Sequence, residues 1–285
     1  MKLDHRTIPT NGVELHVALA GSEDGIPVFL LHGFPDAWFG WEKQLPALAE
    51  AGFRVIVPDQ RGYNLSSKPG GISSYRMDTL AADILGLADH LGLDRFHLAG
   101  HDFGAAVSWH IAARHPERLR RLAIANVPHP AVMVQTLRRS PAQLLKSWYM
   151  FFFQIPRLPE WSLQRADFQT MAAALSDVLT EADLDRYRSA WAQPGAITAM
   201  LNWYRAALRF PGKSDPAGRI STPTLILWGK KDRFLGFELV APTLKLCDDA
   251  RLETFPDASH WVLQERPELI NPLLIAHFQG DGIRS

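Results

Sequence analysis

The five residues Gly100-His101-Asp102-Phe103-Gly104 constrain this chain more than any other stretch. Residues 95–100, Arg-Phe-His-Leu-Ala-Gly, have the short apolar character of a buried strand, and residues 105–115 read as a helix. Small glycines on either side let the backbone turn sharply and push the middle side chain into the open. A strand that feeds a helix through such a turn presents its central residue as an attacking group. Here that residue is an aspartate rather than a serine. A serine that attacked a saturated carbon would end as an ether, which water cannot remove. A carboxylate ends as an ester, which water hydrolyses at the carbonyl. The turn therefore points to attack on an alkyl carbon and away from acyl transfer. An Asp after a strand also commonly caps the next helix, so its partners elsewhere in the chain decide the reading.

The rest of the chain alternates. Residues 27–32, 53–58, 122–125 and 224–228 are continuous apolar runs, as in strands buried on both faces. Helical patterns at 77–91, 105–115 and 268–278 fall between and after them, which predicts an α/β fold with a mostly parallel sheet covered by helices on both faces. Thr10-Asn11-Gly12, between strand-like segments, predicts an N-terminal hairpin. From about 129 to 219 the strands stop, and helical patterns at 140–154, 172–179, 181–191 and 195–210 replace them. The expected organisation is a core domain of residues 1–128 and 219–285 with a helical lid, or cap domain, of residues 129–218 inserted into it. A chain of 285 residues has room for both.

Lys plus Arg and Asp plus Glu each number 30, so the formal net charge is zero. No basic stripe or acidic tail directs the chain to nucleic acid or to an anionic membrane. No apolar run approaches spanning length, and the N-terminus lacks an apolar signal core. The expectation is a soluble, cytoplasmic protein with neither nucleic acid nor membrane as partner. The single cysteine, Cys247, excludes an intrachain disulfide and reads as a buried thiol. Histidines without ligand spacing, and the lack of a Gly-rich dinucleotide fingerprint, predict no metal and no organic cofactor.

A carboxylate nucleophile needs a base for water, a group that orients the base, and donors for the oxyanion. Of eleven histidines, His260 is the candidate base: it follows the strand-like 251–255 and precedes the last helix, late in the chain. His110 and His115 belong to a helix, and the elbow should aim His101 elsewhere. Asp232 follows the strand-like 224–228 and is the candidate orienting acid. Asp215 and Asp257 fit less well, because neither follows a strand-like run at that sheet end. His32-Gly33-Phe34-Pro35 also comes directly after a strand. There the Phe34 amide can pair with that of Phe103 as oxyanion donors, while the His32 side chain holds the loop.

Together, residues 32–35, residues 100–104, Asp232 and His260 resemble an epoxide hydrolase of the α/β-hydrolase fold, across about 26–278. The resemblance implies a cofactor-independent hydrolase that adds water to a small apolar epoxide to give a vicinal diol. An ester on Asp102 would be hydrolysed by water that His260 activates. Members of that family use two lid tyrosines as acids on the epoxide oxygen. Residues 147–154 resemble the segment with the first, at Tyr149, and residues 201–205 the segment with the second, at Tyr204. Ring opening leaves an alkoxide, a poor leaving group unless it is protonated as the C–O bond breaks. Phe103, Trp38 and Trp148 are the expected substrate-binding residues.

One departure from the family is Phe103, where many relatives carry Trp. Its amide survives, but an indole donor for a halide is absent, and so is the arginine by which haloacetate dehalogenases bind a carboxylate. A haloalkane or haloacetate dehalogenase, with Trp38 or Trp148 as halide donor, is the alternative chemistry. A non-enzymatic ligand-binding member of the fold is the third reading. The assembly expected is a monomer or homodimer.

Overall fold

The structure, a computed structural model, describes residues 3–210 and 218–280. Its strands are β1 (Asp4–Thr10), β2 (Val13–Ala20), β3 (Ile26–Leu31), β4 (Phe53–Pro58), β5 (Phe96–His101), β6 (Leu119–Ala125), β7 (Thr224–Gly229) and β8 (Ala250–Phe255). They form one eight-stranded sheet in the order β1-β2-β4-β3-β5-β6-β7-β8. The β1–β2 hairpin and the β2–β4 pair are antiparallel; every other pair is parallel.

Successive side chains of a strand point to opposite faces, so a strand covered on both sides must be apolar throughout. Phe29 and Leu31, with Leu98, Ile124 and Ile226, belong to one apolar core. Their neighbours Val28, Leu30, Ala99, Ala123 and Leu225 belong to a second. Helices α2 (Met77–His90) and α3 (Phe103–Arg114) contribute to the first core, and α1 (Leu45–Glu50) to the second.

Between β6 and β7 the chain forms α4 (Pro130–Arg139), α5 (Pro141–Lys146), α6 (Trp148–Phe152), α7 (Leu158–Ala173), α8 (Glu181–Trp191) and α9 (Ala196–Arg209). After β7 come α10 (Val240–Leu244), α11 (Val262–Glu265) and α12 (Pro267–Gln279), and the last two join the second core. Two helical expectations change. The pattern at 140–154 divides into α5 and α6 at Ser147. Of the pattern at 172–179, only the first two residues are helical, as the end of α7, and from Ala174 on the chain is turn. Ala174 and Leu175 there bond back only three residues, to Met171 and Ala172, and Leu175 is buried at 1% exposure. Burying that leucine outweighs the helix preference of the alanines before it. Asp215 lies outside the described residues.

The insertion is tied to the sheet domain by buried polar contacts. The Trp203 indole donates to the Arg61 carbonyl at 2.9 Å, and the Trp191 indole to the Pro35 carbonyl at 2.7 Å. Tyr187 of α8 donates its hydroxyl to the Asp36 carboxylate. Within the insertion, buried Arg205 binds Glu160 at 2.6 Å and donates to the Phe153 and Ile155 carbonyls.

Candidate active site

Parallel pairing brings the carboxyl ends of β3, β5, β6, β7 and β8 to one edge, with Leu31 opposite Gly100, His101 opposite Ala125, Ala125 opposite Leu227 and Gly229 opposite Phe255. His32, Asp102, Asn126, Asp232 and His260 all leave the sheet there, the edge at which open α/β sheets bind ligands. Asp102 has φ 49° and ψ −123°, a region L-residues rarely occupy. The turn is tight enough that a Cβ on Gly104 would fall 2.1 Å from the Leu31 carbonyl oxygen. Although Asp102 takes the N-cap position of α3, its side chain makes no capping bond. The carboxylate is thus available for something other than capping, and the amino end of the helix favours its charge.

The Phe34 amide donates to Asp102 Oδ1 at 2.7 Å. A Cβ on Gly33 would sit 2.3 Å from that oxygen and 2.6 Å from the Phe103 nitrogen, so only glycine lets this loop approach the elbow. Asp102 Oδ2 lies 3.7 Å from His260 Nε2, and a fifth of the aspartate side chain is exposed. The other imidazole nitrogen, Nδ1, is 2.7 Å from Asp232 Oδ2. Asp232 Oδ1 accepts from the amides of Phe234 and Leu235 at 2.7 and 2.9 Å. Burial works against the Asp232 carboxylate, but the His260 charge and these bonds outweigh it and hold its pKa below the usual range. The same competition, with His260 as the main opposing group, lowers Asp102. Burial also opposes a charged His260, yet Asp232 and Asp102 raise its pKa to about 10.

Rings close over these groups from both parts of the chain. Phe103 and Phe34 meet Tyr204 with centroids 4.6 and 5.4 Å away, Tyr149 meets Tyr204 at 5.8 Å, and Phe234 meets both Tyr149 and His260. Burial pushes both tyrosine pKa values up, and the Asp102 charge adds to it, so both phenols stay protonated. Among the described residues neither phenol has a hydrogen-bond partner, and neither oxygen is sealed in the core as the Tyr63 hydroxyl is. The surface clefts at the hairpin, near residues 9–14, and between α2 and α3 contain none of this group.

Two expected substrate-binding side chains lie elsewhere. Trp38 packs on His5 and Phe39, with ring centroids 5.0 and 5.8 Å away. Trp148 is 62% exposed on the outer side of α6, against Phe152. Consecutive residues on a helix face different ways, so an inward Tyr149 turns Trp148 outward. Of the weaker candidates, Asp257 is an exposed partner of Arg266. His110 pairs with Asp78, and His115 lies near Glu117.

Other members of the group emerge only in three dimensions. Asn126 leaves β6 with φ 53°, donates to Asp232 Oδ2 at 2.8 Å and accepts from the Gly229 amide at 2.9 Å. His101 points under His260 and donates from Nε2 to its carbonyl at 2.9 Å; burial and the His260 charge lower its pKa to about 4. Its Nδ1 is 4.0 Å from Asp36, whose pKa burial raises to about 7. The Asp directly after the His-Gly-Phe-Pro turn was the available signal. Its partner Tyr187 had none. The His32 ring accepts from the Gln60 amide at 3.0 Å, which anchors the loop.

A family model described as alpha/beta hydrolase fold matches residues 26–267. Over 96% of its length the chain is 47% identical to the AB hydrolase superfamily protein YfhM of Bacillus subtilis (strain 168), covering 97% of that protein. It is 36% identical to epoxide hydrolase 4 of Mus musculus, over 97% of this chain and 79% of that protein. The crystal structure of Bacillus megaterium epoxide hydrolase in complex with an inhibitor is similar with a TM-score of 0.88 at 30% identity, covering 97% of this chain and 100% of that one.

Proposed function

The chain belongs to the α/β-hydrolase fold family and, within it, to the epoxide hydrolases, and from that premise we propose that Asp102 opens the epoxide by direct attack. Asp102 Oδ2 bonds to a ring carbon as the C–O bond breaks. The developing alkoxide takes a proton from Tyr149 or Tyr204, while the other phenol donates a hydrogen bond. The tyrosinate recovers its proton from the His260 imidazolium, which leaves a neutral ring beside the new ester. His260 then takes a proton from water, and the hydroxide attacks the ester carbonyl. The amides of Phe34 and Phe103 hold the tetrahedral oxyanion. Collapse expels the diol oxygen, which is protonated by the acid form of Asp102, and the starting charges return. Asp232, braced by Asn126, keeps the imidazole oriented and stabilises its cationic form.

The observation that carries the epoxide reading is the pair of accessible, unpartnered phenols beside the elbow carboxylate. A dehalogenase needs N–H donors for halide, and the indoles of Trp203 and Trp191 already donate to backbone carbonyls. Residues 129–218 then act as a cap domain on a core of 1–128 and 219–285, and the surrounding rings suit a small apolar epoxide. Among the described residues no helix is long and apolar enough to cross a membrane. The lone thiol of Cys247 fits the cytoplasm.

Intact-mass spectrometry tests the reading. A His260→Gln variant mixed with styrene-type epoxide should gain one substrate mass, mapped by digestion to Asp102. Normal turnover by Asp102→Ala, or an adduct on another residue, would overturn it.

A further inference from the structure

The outward side of the insertion is far more apolar than its inward contacts require. Leu145, Trp148, Phe151, Ile155, Leu158 and Trp161 are 74, 62, 48, 43, 45 and 56% exposed. Trp148 and Phe151 are three apart on α6 and Leu158 and Trp161 three apart on α7, the spacing of neighbours on a helical surface, while Leu145 on α5 and Ile155 in the bend before α7 lie close to them in the chain. Ser147 divides α5 from α6, and the non-helical residues 153–157, with Arg157 at φ 65°, divide α6 from α7, so three separate elements follow one another along this stretch. Isolated exposed leucines are ordinary, but six exposed large apolar side chains on consecutive elements, two of them tryptophans, mark an interaction surface.

The charges around the run say what kind. Between 130 and 165 the chain carries Arg138, Arg139, Lys146, Arg157 and Arg165, and its one acid, Glu160, is taken up by Arg205. Among the described residues, none of those five cations has a carboxylate partner. The Arg165 guanidinium lies 4.4 Å from the centre of the Trp161 ring. This excess sits in a chain whose formal net charge is zero. A second copy docked by the same face would set these cations against their own counterparts, because a two-fold interface pairs a patch with itself. Phosphate headgroups above acyl chains complement both features at once.

We propose that the outer face of α5, α6 and the start of α7 docks on an anionic lipid surface. This departs from the absence of a membrane partner expected from net charge and hydropathy, which are blind to a local excess on one face. Tyr149 lies on the same short helix as Trp148 and Phe151, facing inward. An apolar substrate dissolved in lipid would therefore meet the cap at the element that carries a catalytic phenol. That last consequence rests on the epoxide reading; the docking does not.

Vesicle sedimentation of the full chain tests the docking, using phosphatidylcholine with and without phosphatidylglycerol. Binding to the anionic vesicles, weakened by added salt, is expected. Leu145→Glu with Trp161→Glu, and separately Arg138→Gln with Arg139→Gln and Arg157→Gln, should each weaken it by roughly tenfold or more. Circular dichroism and turnover of a water-soluble epoxide should stay unchanged in both variants. The proposal fails if anionic vesicles are not bound, if neutral vesicles are bound equally, or if either variant binds like the parent. It also fails if the parent sediments as a dimer that the Leu145→Glu, Trp161→Glu variant converts to monomer, since a second copy would then cover the face.

Discussion

At His260, two carboxylates outweigh burial and keep the imidazole cationic through the neutral range, with a pKa of about 10. A cation cannot take a proton from water. In the proposed mechanism, esterification of Asp102 would remove one of the two supporting charges, so the pKa would fall and the base would arise when the second half-reaction needs it. Alkylation, which needs an ionised Asp102 and protonated phenols, should be nearly flat between about pH 6 and 9, whereas ester hydrolysis should rise with pH as the neutral imidazole accumulates. Rapid-quench kinetics separate the two, and identical pH profiles would sink this division of labour. The phenols allow a second check. A hydrogen bond to a charged group contributes about 1.5–3 kcal/mol, so Tyr149→Phe or Tyr204→Phe should each slow ring opening roughly ten- to a hundredfold. The double variant should be nearly inactive. If it retains near-normal epoxide turnover in a single-turnover assay, the two rings are packing only.

Between elements, α8 is joined to the loop after β3 through Tyr187 and the buried Asp36. Burial is the largest influence on Asp36 and raises its pKa to about 7, with the Asp102 charge acting in the same direction. A carboxyl whose folded pKa is raised contributes stability that is complete below its unfolded value, about 3.8, and lost as pH rises through the folded value. Asp36→Asn cannot ionise and escapes that loss. Its melting temperature relative to the parent should therefore shift in the variant's favour between about pH 4 and 8. A difference independent of pH, measured by calorimetry, would mean that Asp36 stays ionised in the fold. The same joint explains how two parts of the chain can share one site: the insertion is pinned where its loops meet the edge that holds Asp102. Tyr204 on α9 and Tyr149 on α6 are thereby held above the elbow from different directions.

For the molecule as a whole, the legible features were those written in a few consecutive residues. A strand stretch buried on both faces must be apolar at successive positions, so residues 28–31, 55–57, 122–125 and 225–228 stand out within β3, β4, β6 and β7. The elbow needs its glycines because Leu31 runs close behind Gly104 and the first turn of α3 lies against Gly100, and those glycines mark Asp102. Asp232 and His260 were found by their order after later strands, and parallel pairing brings them within reach of each other. Side chains whose roles depend on facing a distant segment were not legible. Asn126 reads as an ordinary loop residue until β7 lies beside it, and Tyr187 as one more helical aromatic until α8 reaches Asp36. Trp148 and Tyr149 are adjacent in sequence and equally aromatic, yet packing turned the first to solvent and the second toward Asp102. Local sequence thus determined the sheet, the elbow and the carboxylate at its tip, because each follows from sterics and burial within a few residues. Tertiary structure alone decided which aromatics face Asp102 and which stay exposed on the outside, because that choice depends on which surfaces of the insertion the core is free to cover.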